Sequence, residues 1–191
     1  WHYEPERNLM TQSRRLIGLD PGLRNLGWGV IDVSRGKLIH VANGTISSNA
    51  KDDLADRLVQ LMRGLEEVFE THQPEQAAVE NSFVNKDGVA TLKLGQARAV
   101  CLLVPARKGM KVFEYAPNFV KRSITGAGHA DKHQINAMVK TLLPQAKPDS
   151  EHAADALAVA ITHAHAGDLE GRLNDGQTNG MAPQARLKVK S

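Results

Sequence analysis

An apolar run that ends on an acid and a tight turn constrains this chain more than any other feature. Residues 16–19 (LIGL) lead directly into Asp20, and Pro21 and Gly22 follow at once. Such a run is predicted to form a buried strand that ends at Asp20. A carboxylate at the edge of a hydrophobic core carries a large desolvation cost unless it is paired or bound to a metal ion. The pattern therefore predicts a functional site at the end of this strand.

Composition narrows the class of protein. The 191 residues are 41% hydrophobic, which is enough for one domain with a core, and the net charge of +3 is a mild basic bias compatible with nucleic acid. One cysteine, Cys101, excludes an internal disulfide and fits a reducing cytoplasm. The sequence has no signal-peptide pattern, and no apolar run approaches the roughly 20 residues of a membrane span. We expect a cytoplasmic protein that is not bound to a membrane.

Periodicity predicts an α/β fold with a mixed five-stranded sheet flanked by helices. Strands are predicted over 14–20, 26–33, 37–46, 76–80 and 111–115, and helices over 52–71, 89–106, 117–124, 130–143 and 150–165. Short turns favour antiparallel pairing among the first three strands, whereas the later crossovers favour parallel pairing. We expect a leader or disordered segment over 1–13, one folded domain over 14–166 and a disordered, weakly basic tail over 167–191.

Acids fall where a sheet can bring them together. Asp20 and Glu80 each end a predicted strand, and ligands gather outside strand ends in open α/β sheets. His152 and Asp155 are three residues apart on the last predicted helix and share one face. Crowded carboxylates repel one another unless a cation neutralises them, and their oxygens suit Mg²⁺ or Mn²⁺. The spacing favours a metal-dependent nuclease with paired ions, but it leaves open ordinary turn, cap and solvated-face roles for these residues.

Four runs of the sequence together resemble the RuvC family of Holliday-junction resolvases. They are IGLDPGLRNLGWGVI, AAVENSFVNKDGVATLKLGQARAV, VFEYAPNFVKRSITGAGHADKHQINAMV and HAADALAVAITHAH, and they follow the family order and spacing over residues 14–166. The resemblance implies an RNase H-like fold. It also implies a structure-selective endonuclease that resolves Holliday junctions in recombination and repair, by paired symmetric metal-dependent hydrolysis that leaves 5′-phosphates.

The resemblance implies a set of site residues as well. Asp20, Glu80 and Asp155 match the family's catalytic carboxylates, and His152 stands where many members carry Asp and others carry His. The implied cofactor is Mg²⁺, for which Mn²⁺ substitutes, with two ions per active site. Because imidazole brings no negative charge, we expect His152 to shift the preference towards Mn²⁺ without abolishing activity.

Candidate DNA contacts follow from the same resemblance. Phe83 matches an aromatic residue that unstacks bases at the crossover, although it could also be an ordinary core residue. Lys121 and Lys132 match basic residues near the scissile phosphate. Lys86 and Arg98 are further candidates, and Arg98 could equally be a structural partner within its helix.

The implied partners are four-way junction DNA, a second copy of the chain and the RuvA–RuvB branch-migration complex. The apolar helix 89–106 is the candidate for part of the homodimer interface. A non-catalytic junction-binding protein is one alternative. The three carboxylates argue against it, because a protein that only binds DNA would gain from losing charges that repel phosphate. An actin-like nucleotide-binding domain is another, because IGLDPG also resembles its phosphate loop. Such proteins need two domains of this kind, and the chain has room for one.

Two further histidines, His163 and His165, form an H-x-H pattern near the predicted end of the last helix. A zinc site would need further ligands at suitable spacing, and the sequence does not offer them. A position near the negative end of the helix dipole is a sufficient explanation for both.

Overall fold

The computed structural model describes residues 13–81 and 87–175, with side chains described as far as residue 167. Its strands are β1 (Arg14–Asp20), β2 (Asn25–Ser34), β3 (Lys37–Ser47), β4 (Gln76–Glu80) and β5 (Val112–Tyr115). They form one sheet in the order β3-β2-β1-β4-β5. β2 is antiparallel to both β1 and β3, whereas β4 is parallel to both β1 and β5. The predicted mixed five-stranded sheet is confirmed.

Helices cover both faces of this sheet. They are α1 (Leu54–His72), α2 (Gly88–Arg107), α3 (Pro117–Thr125), α4 (Lys132–Leu142) and α5 (Glu151–Asp175). One core lies between the sheet and the helices α1 and α2, and the other lies between the sheet and the helices α3, α4 and α5. The alternation of side chains along β1 feeds both cores, with Leu16 in one and Ile17 in the other. Burial on both faces explains why β1 reads as a continuous apolar run.

The helix α5 lies unusually close to the sheet because glycines face it. A Cβ at Gly18 would collide with the backbone of Ala156, and a Cβ at Gly27 would collide with the backbone of His152. Both contacts would fall well inside the 3.0 Å that real Cβ atoms keep. Glycine on the strands is therefore required at both positions, and the small alanines of α5 complete the close approach.

The end of α5 differs from the prediction. The helix continues through Asp175 instead of ending at residue 165, so the chain is helical where the polar tail was predicted to begin. His163 and His165 consequently lie inside the helix, and the explanation from the helix dipole is wrong. The division into leader, folded domain and tail stays a prediction, since residues 1–12 and 176–191 lie outside the described residues.

The helix α2 is buried on one face only. Its inner face is buried through Ala97, Cys101 and Val104, while Val89 and Leu92 are 62% and 64% exposed. By length and composition alone α2 is long and apolar enough to cross a membrane, but basic residues interrupt its sequence, so it is not an uninterrupted apolar run of that length. Because α2 packs on the sheet and on α1, its inner face is that of a core helix.

Candidate active site

A single row of residues crosses the sheet at the carboxyl end of β1. In strand order from β3 to β5 the row consists of Thr45, Gly27, Asp20, Glu80 and Tyr115. The parallel register of β1 and β4 places Glu80 at the position beside Asp20. Since side chains alternate between the two faces of a sheet, all five positions face the side that α5 covers. The two acids at strand ends thus meet at one edge, as the sequence predicted.

The first turn of α5 brings the two remaining predicted ligands over this row. His152 Nδ1 lies 2.7 Å from Asp20 Oδ2, and the carboxylate of Asp155 is close enough to Asp20 to influence its ionisation. The turn begins after Ser150, whose Oγ accepts a hydrogen bond from the N–H of Ala153 at 3.0 Å. Two strand ends and one helical turn therefore assemble four side chains from three distant parts of the sequence.

Burial gives the site an unusual electrostatic character. Asp20 is only 8% exposed, and burial raises its pKa to about 6, opposed by the hydrogen bond from His152 and reinforced by the charges of Glu80 and Asp155. Burial also raises the pKa of Asp155, while the nearby ammonium of Lys132 opposes that shift. Negative charge at this edge is therefore costly to the metal-free protein, and an added cation would relieve that cost.

Lys132 belongs to the site through the N-terminus of α4. A capping box between Asp131 and Gln134 fixes that end of the helix. The Nζ of Lys132 lies 2.7 Å from Glu151 Oε2 and 3.5 Å from Asp155 Oδ2. The hydrogen bond to Glu151 is the main reason why the pKa of Lys132 is raised. The lysine is thus held as an ammonium beside the carboxylates, which suits its predicted position near a phosphate.

The other predicted DNA contacts have different outcomes. Arg98 forms an ion pair with Glu114 of β5, so it has a structural role, although its partner lies outside its own helix. Lys121 lies on α3, the helix that follows the end of β5. Phe83 and Lys86 lie outside the described residues, between β4 and α2. Contact of any of these residues with DNA stays a prediction.

Sequence reasoning missed several residues of the site. Glu151 is four residues before Asp155, so the helical period could have placed it on the same face. Tyr115 ends β5 as Glu80 ends β4, but β5 carried no acid that drew attention to its end. Gly27 and Thr45 are recognisable only once the register across β1, β2 and β3 is known.

The donor set fits a hard divalent cation, although the side chains do not yet enclose one. Within residues 13–81 and 87–175, no three His, Cys, Asp or Glu side chains are arranged to hold a single ion. Asp20 accepts a hydrogen bond from His152, and Asp155 lies near the ammonium of Lys132. Carboxylate oxygens with one imidazole match Mg²⁺ or Mn²⁺. Binding of a cation requires these contacts to be exchanged.

Comparison of the sequence with known proteins points to one family. The family model described as crossover junction endodeoxyribonuclease RuvC matches residues 16–163. The chain is 59% identical over 164 residues to the crossover junction endodeoxyribonuclease RuvC of Parvibaculum lavamentivorans, covering 86% of this chain and 94% of that protein. It is 57% identical over 166 residues to the protein of the same name from Agrobacterium fabrum, covering 86% and 98%.

Solved structures agree with the sequence comparison. The structure of T. thermophilus RuvC in complex with a Holliday junction substrate matches with a TM-score of 0.77 at 30% identity, over 82% of this chain and 96% of that chain. The yeast mitochondrial Holliday junction resolvase Ydc2 matches with a TM-score of 0.63 at 14% identity, over 88% and 85%, which is a likeness of fold alone. The predicted RNase H-like fold is confirmed by the match to RuvC.

Proposed function

Because the chain belongs to the RuvC family of crossover junction endodeoxyribonucleases, we propose that it resolves Holliday junctions by hydrolysing phosphodiester bonds at the edge of the sheet described above. One observation carries the proposal. Asp20 and Glu80 end neighbouring strands, and the first turn of α5 lays two further ligands over them. A buried carboxylate whose pKa is raised to about 6 is costly to keep unless the site uses its charge.

RuvC-family nucleases are metal-dependent, and the finer assignment is part of the proposal. Asp20, Glu80, His152 and Asp155 would hold two Mg²⁺ ions, with Mn²⁺ as a substitute. The Nδ1 of His152 contacts Asp20 in the metal-free protein, and exchange of that contact would leave the imidazole available as a metal ligand. When bound, such ions lower the pKa of water and neutralise charge on a phosphate.

The protein's own residues have separate tasks in this proposal. Asp20 and Glu80 supply negative charge from the rigid sheet, and His152 and Asp155 supply ligands from the helix. Lys132 would bind the phosphate and stabilise its developing charge, because its present partners are carboxylates that a phosphate oxygen can replace. Lys121, Lys86 and the aromatic ring of Phe83 are proposed DNA contacts on the grounds of family resemblance.

A homodimer would match the two-fold symmetry of a four-way junction and place one site at each of two strands. The exposed apolar residues of α2 support this arrangement, since Val89, Leu92 and Leu103 are each more than half exposed in the single chain. Paired nicks in strands of like polarity would then separate the junction into two duplexes. Cooperation with a RuvA–RuvB complex and a cytoplasmic location also belong to the proposal, and they rest on the family alone.

Cleavage of a synthetic mobile four-way junction tests the proposal. The full chain is incubated with Mg²⁺ or Mn²⁺ and either junction or linear duplex, beside the variant Asp20→Asn. We expect paired symmetric nicks in the junction only, and a rate on the order of a thousandfold lower for Asp20→Asn. Binding of the junction without cleavage in either metal would point instead to a non-catalytic junction-binding protein.

A further inference from the structure

Gly27 supports the first turn of α5 without contributing any chemical group. It is paired with Asp20 in the register of β1 and β2 and faces the same side of the sheet. A Cβ at this position would collide with the carbonyl group of His152 and would lie 2.9 Å from the Cβ of His152. Because the colliding atoms belong mainly to the backbone, a rotamer change cannot relieve the clash. The absence of a side chain at Gly27 therefore sets how closely this turn approaches β2.

Thr45 supports the same turn from the next strand. It is paired with Gly27 in the register of β2 and β3. Its Oγ1 lies 2.5 Å from the Oγ of Ser150, the residue whose side chain accepts the hydrogen bond from Ala153 at the start of α5. The hydroxyl of Thr45 thus fixes the capping residue, and through it the start of the helix.

We propose that Gly27 and Thr45 are positioning residues that hold His152 and Asp155 at the correct height over Asp20. The strand ligands and the helix ligands belong to different elements, so their separation is set only by how α5 rests on the sheet. Displacements of about 1 Å can cost a hundredfold in activity where reacting groups must be aligned. The inference rests on the proposed function, because it assumes that these side chains bind a metal ion together.

Binding of Mn²⁺ to the full chain without DNA, followed by electron paramagnetic resonance, tests the proposal with a readout other than activity. Gly27→Ala is expected to weaken binding about tenfold or more, because the added methyl group moves the helix ligands away from Asp20. Thr45→Val keeps the β-branched shape but loses the hydroxyl, and is expected to weaken binding about threefold. Thr45→Ser restores the hydroxyl and is expected to bind Mn²⁺ like the wild type.

Gly64→Ala is the matched control for added bulk. Gly64 lies on α1, on the opposite face of the sheet, and a Cβ there would stand 2.6 Å from Cγ2 of Ile46. The added methyl group crowds the packing of α1 against Ile46 and does not contact α5. The Gly64→Ala variant should therefore bind Mn²⁺ with the affinity of the wild type. A loss of affinity in Gly64→Ala equal to that in Gly27→Ala would overturn the proposal, because general destabilisation would then explain both.

Crystal structures of the metal-free variants separate this proposal from the proposed function. A displaced first turn in Gly27→Ala, with the hydrogen bond from His152 to Asp20 broken, supports positioning even if the wild type binds no Mn²⁺ and cleaves no junction. If the first turn of α5 is unmoved in Gly27→Ala and the variant binds Mn²⁺ as the wild type does, the positioning proposal is overturned, whereas the proposed nuclease function is not affected. If Gly27→Ala does not fold, the Thr45→Val and Thr45→Ser pair decides, and equal Mn²⁺ affinity in both variants overturns the proposal.

Discussion

Two histidines on α5 show how differently one helix can use the same side chain. His152, in the first turn, is partly exposed, and its imidazole bonds to the carboxylate of Asp20. His163, in the interior of the helix, is 4% exposed. Its Nδ1 lies 2.8 Å from the Tyr115 hydroxyl and its Nε2 lies 3.1 Å from Gln76 Oε1. The first histidine is accessible to a new ligand, whereas both ring nitrogens of the second are already engaged.

The difference between the two positions lies in what surrounds each ring. At the first turn, carboxylates and Lys132 form contacts that a cation or a phosphate can replace. Around His163, the phenol of Tyr115, the amide of Gln76 and the ring of Phe113 make contacts that the neutral imidazole satisfies. Burial lowers the pKa of His163 to about 4, helped by the charges of Arg14 and Lys111. One end of α5 is therefore built for exchange of partners and the middle for stability.

The sharpest test of this contrast is the effect of pH on the stability contributed by His163. Its pKa is about 4 in the folded protein, against 6.5 ordinarily, so between these values the unfolded chain binds the extra proton. Stability is present above pH 6.5 and is lost as pH falls towards 4, by about 3 kcal/mol. Urea unfolding of the wild type and His163→Phe across pH 4–8 measures it. A difference between the two proteins that does not change with pH would contradict the neutral, buried ring.

Asp20 should show the opposite sign over nearly the same range. Its pKa is raised from 3.8 to about 6 in the metal-free fold, so the folded protein holds the extra proton between these values. The contribution of Asp20 is fully present below pH 3.8 and is lost as pH rises through 6, by about 3 kcal/mol. Metal-free wild type should therefore become less stable than Asp20→Asn as pH rises from 4 to 7. Parallel stability curves for the two proteins would show that burial does not disfavour this charge.

Removal of each imidazole should separate activity from stability. His152→Ala removes a proposed ligand and the hydrogen bond to Asp20, and it is expected to lower junction cleavage about tenfold to a hundredfold. His163 contacts Tyr115 but none of the four proposed metal ligands, so the cleavage rate of the folded fraction of His163→Phe at pH 8 should stay near that of the wild type. Equal losses of cleavage in the two variants would break the distinction between the two ends of the helix.

A smaller effect is expected from changing the chemistry of the first-turn ligand. His152→Asp replaces a neutral donor with a carboxylate and should move the metal preference a few-fold from Mn²⁺ towards Mg²⁺. Initial cleavage rates at a series of Mg²⁺ and Mn²⁺ concentrations measure the preference. An unchanged ratio of the two metals would remove the imidazole from the metal-binding set.

The sequence predicted the parts of the site that depend on local pattern. Asp20 and Glu80 follow apolar runs, and the order of strands and helices could be read from periodicity, turns and breakers. The contributions of Gly27 and Thr45 could not be predicted from pattern, because they depend on which residues of three strands stand side by side. The ion pair of Lys132 with Glu151 likewise requires the packing of α4 beside α5.

The errors of prediction have physical causes as well. Polar residues and glycines after residue 166 resemble a tail, yet α5 continues through them to Asp175. The apolar sequence of α2 predicts burial in the core or against a partner chain; one chain covers only the inner face, through residues such as Cys101 and Val104, and burial of the outer face stays a prediction. Hydrophobicity alone does not distinguish a face that meets the sheet from one that meets a second molecule.

A crystal structure with Mn²⁺ bound tests the central claim most directly, namely that the first turn of α5 and the strand ends form one metal site. The account predicts anomalous density between the carboxylates of Asp20 and Asp155, with the imidazole of His152 as a ligand and with Lys132 moved away from Asp155. Density elsewhere, or none at saturating Mn²⁺ with the hydrogen bond from His152 to Asp20 and the contact of Lys132 with Asp155 intact, would contradict it.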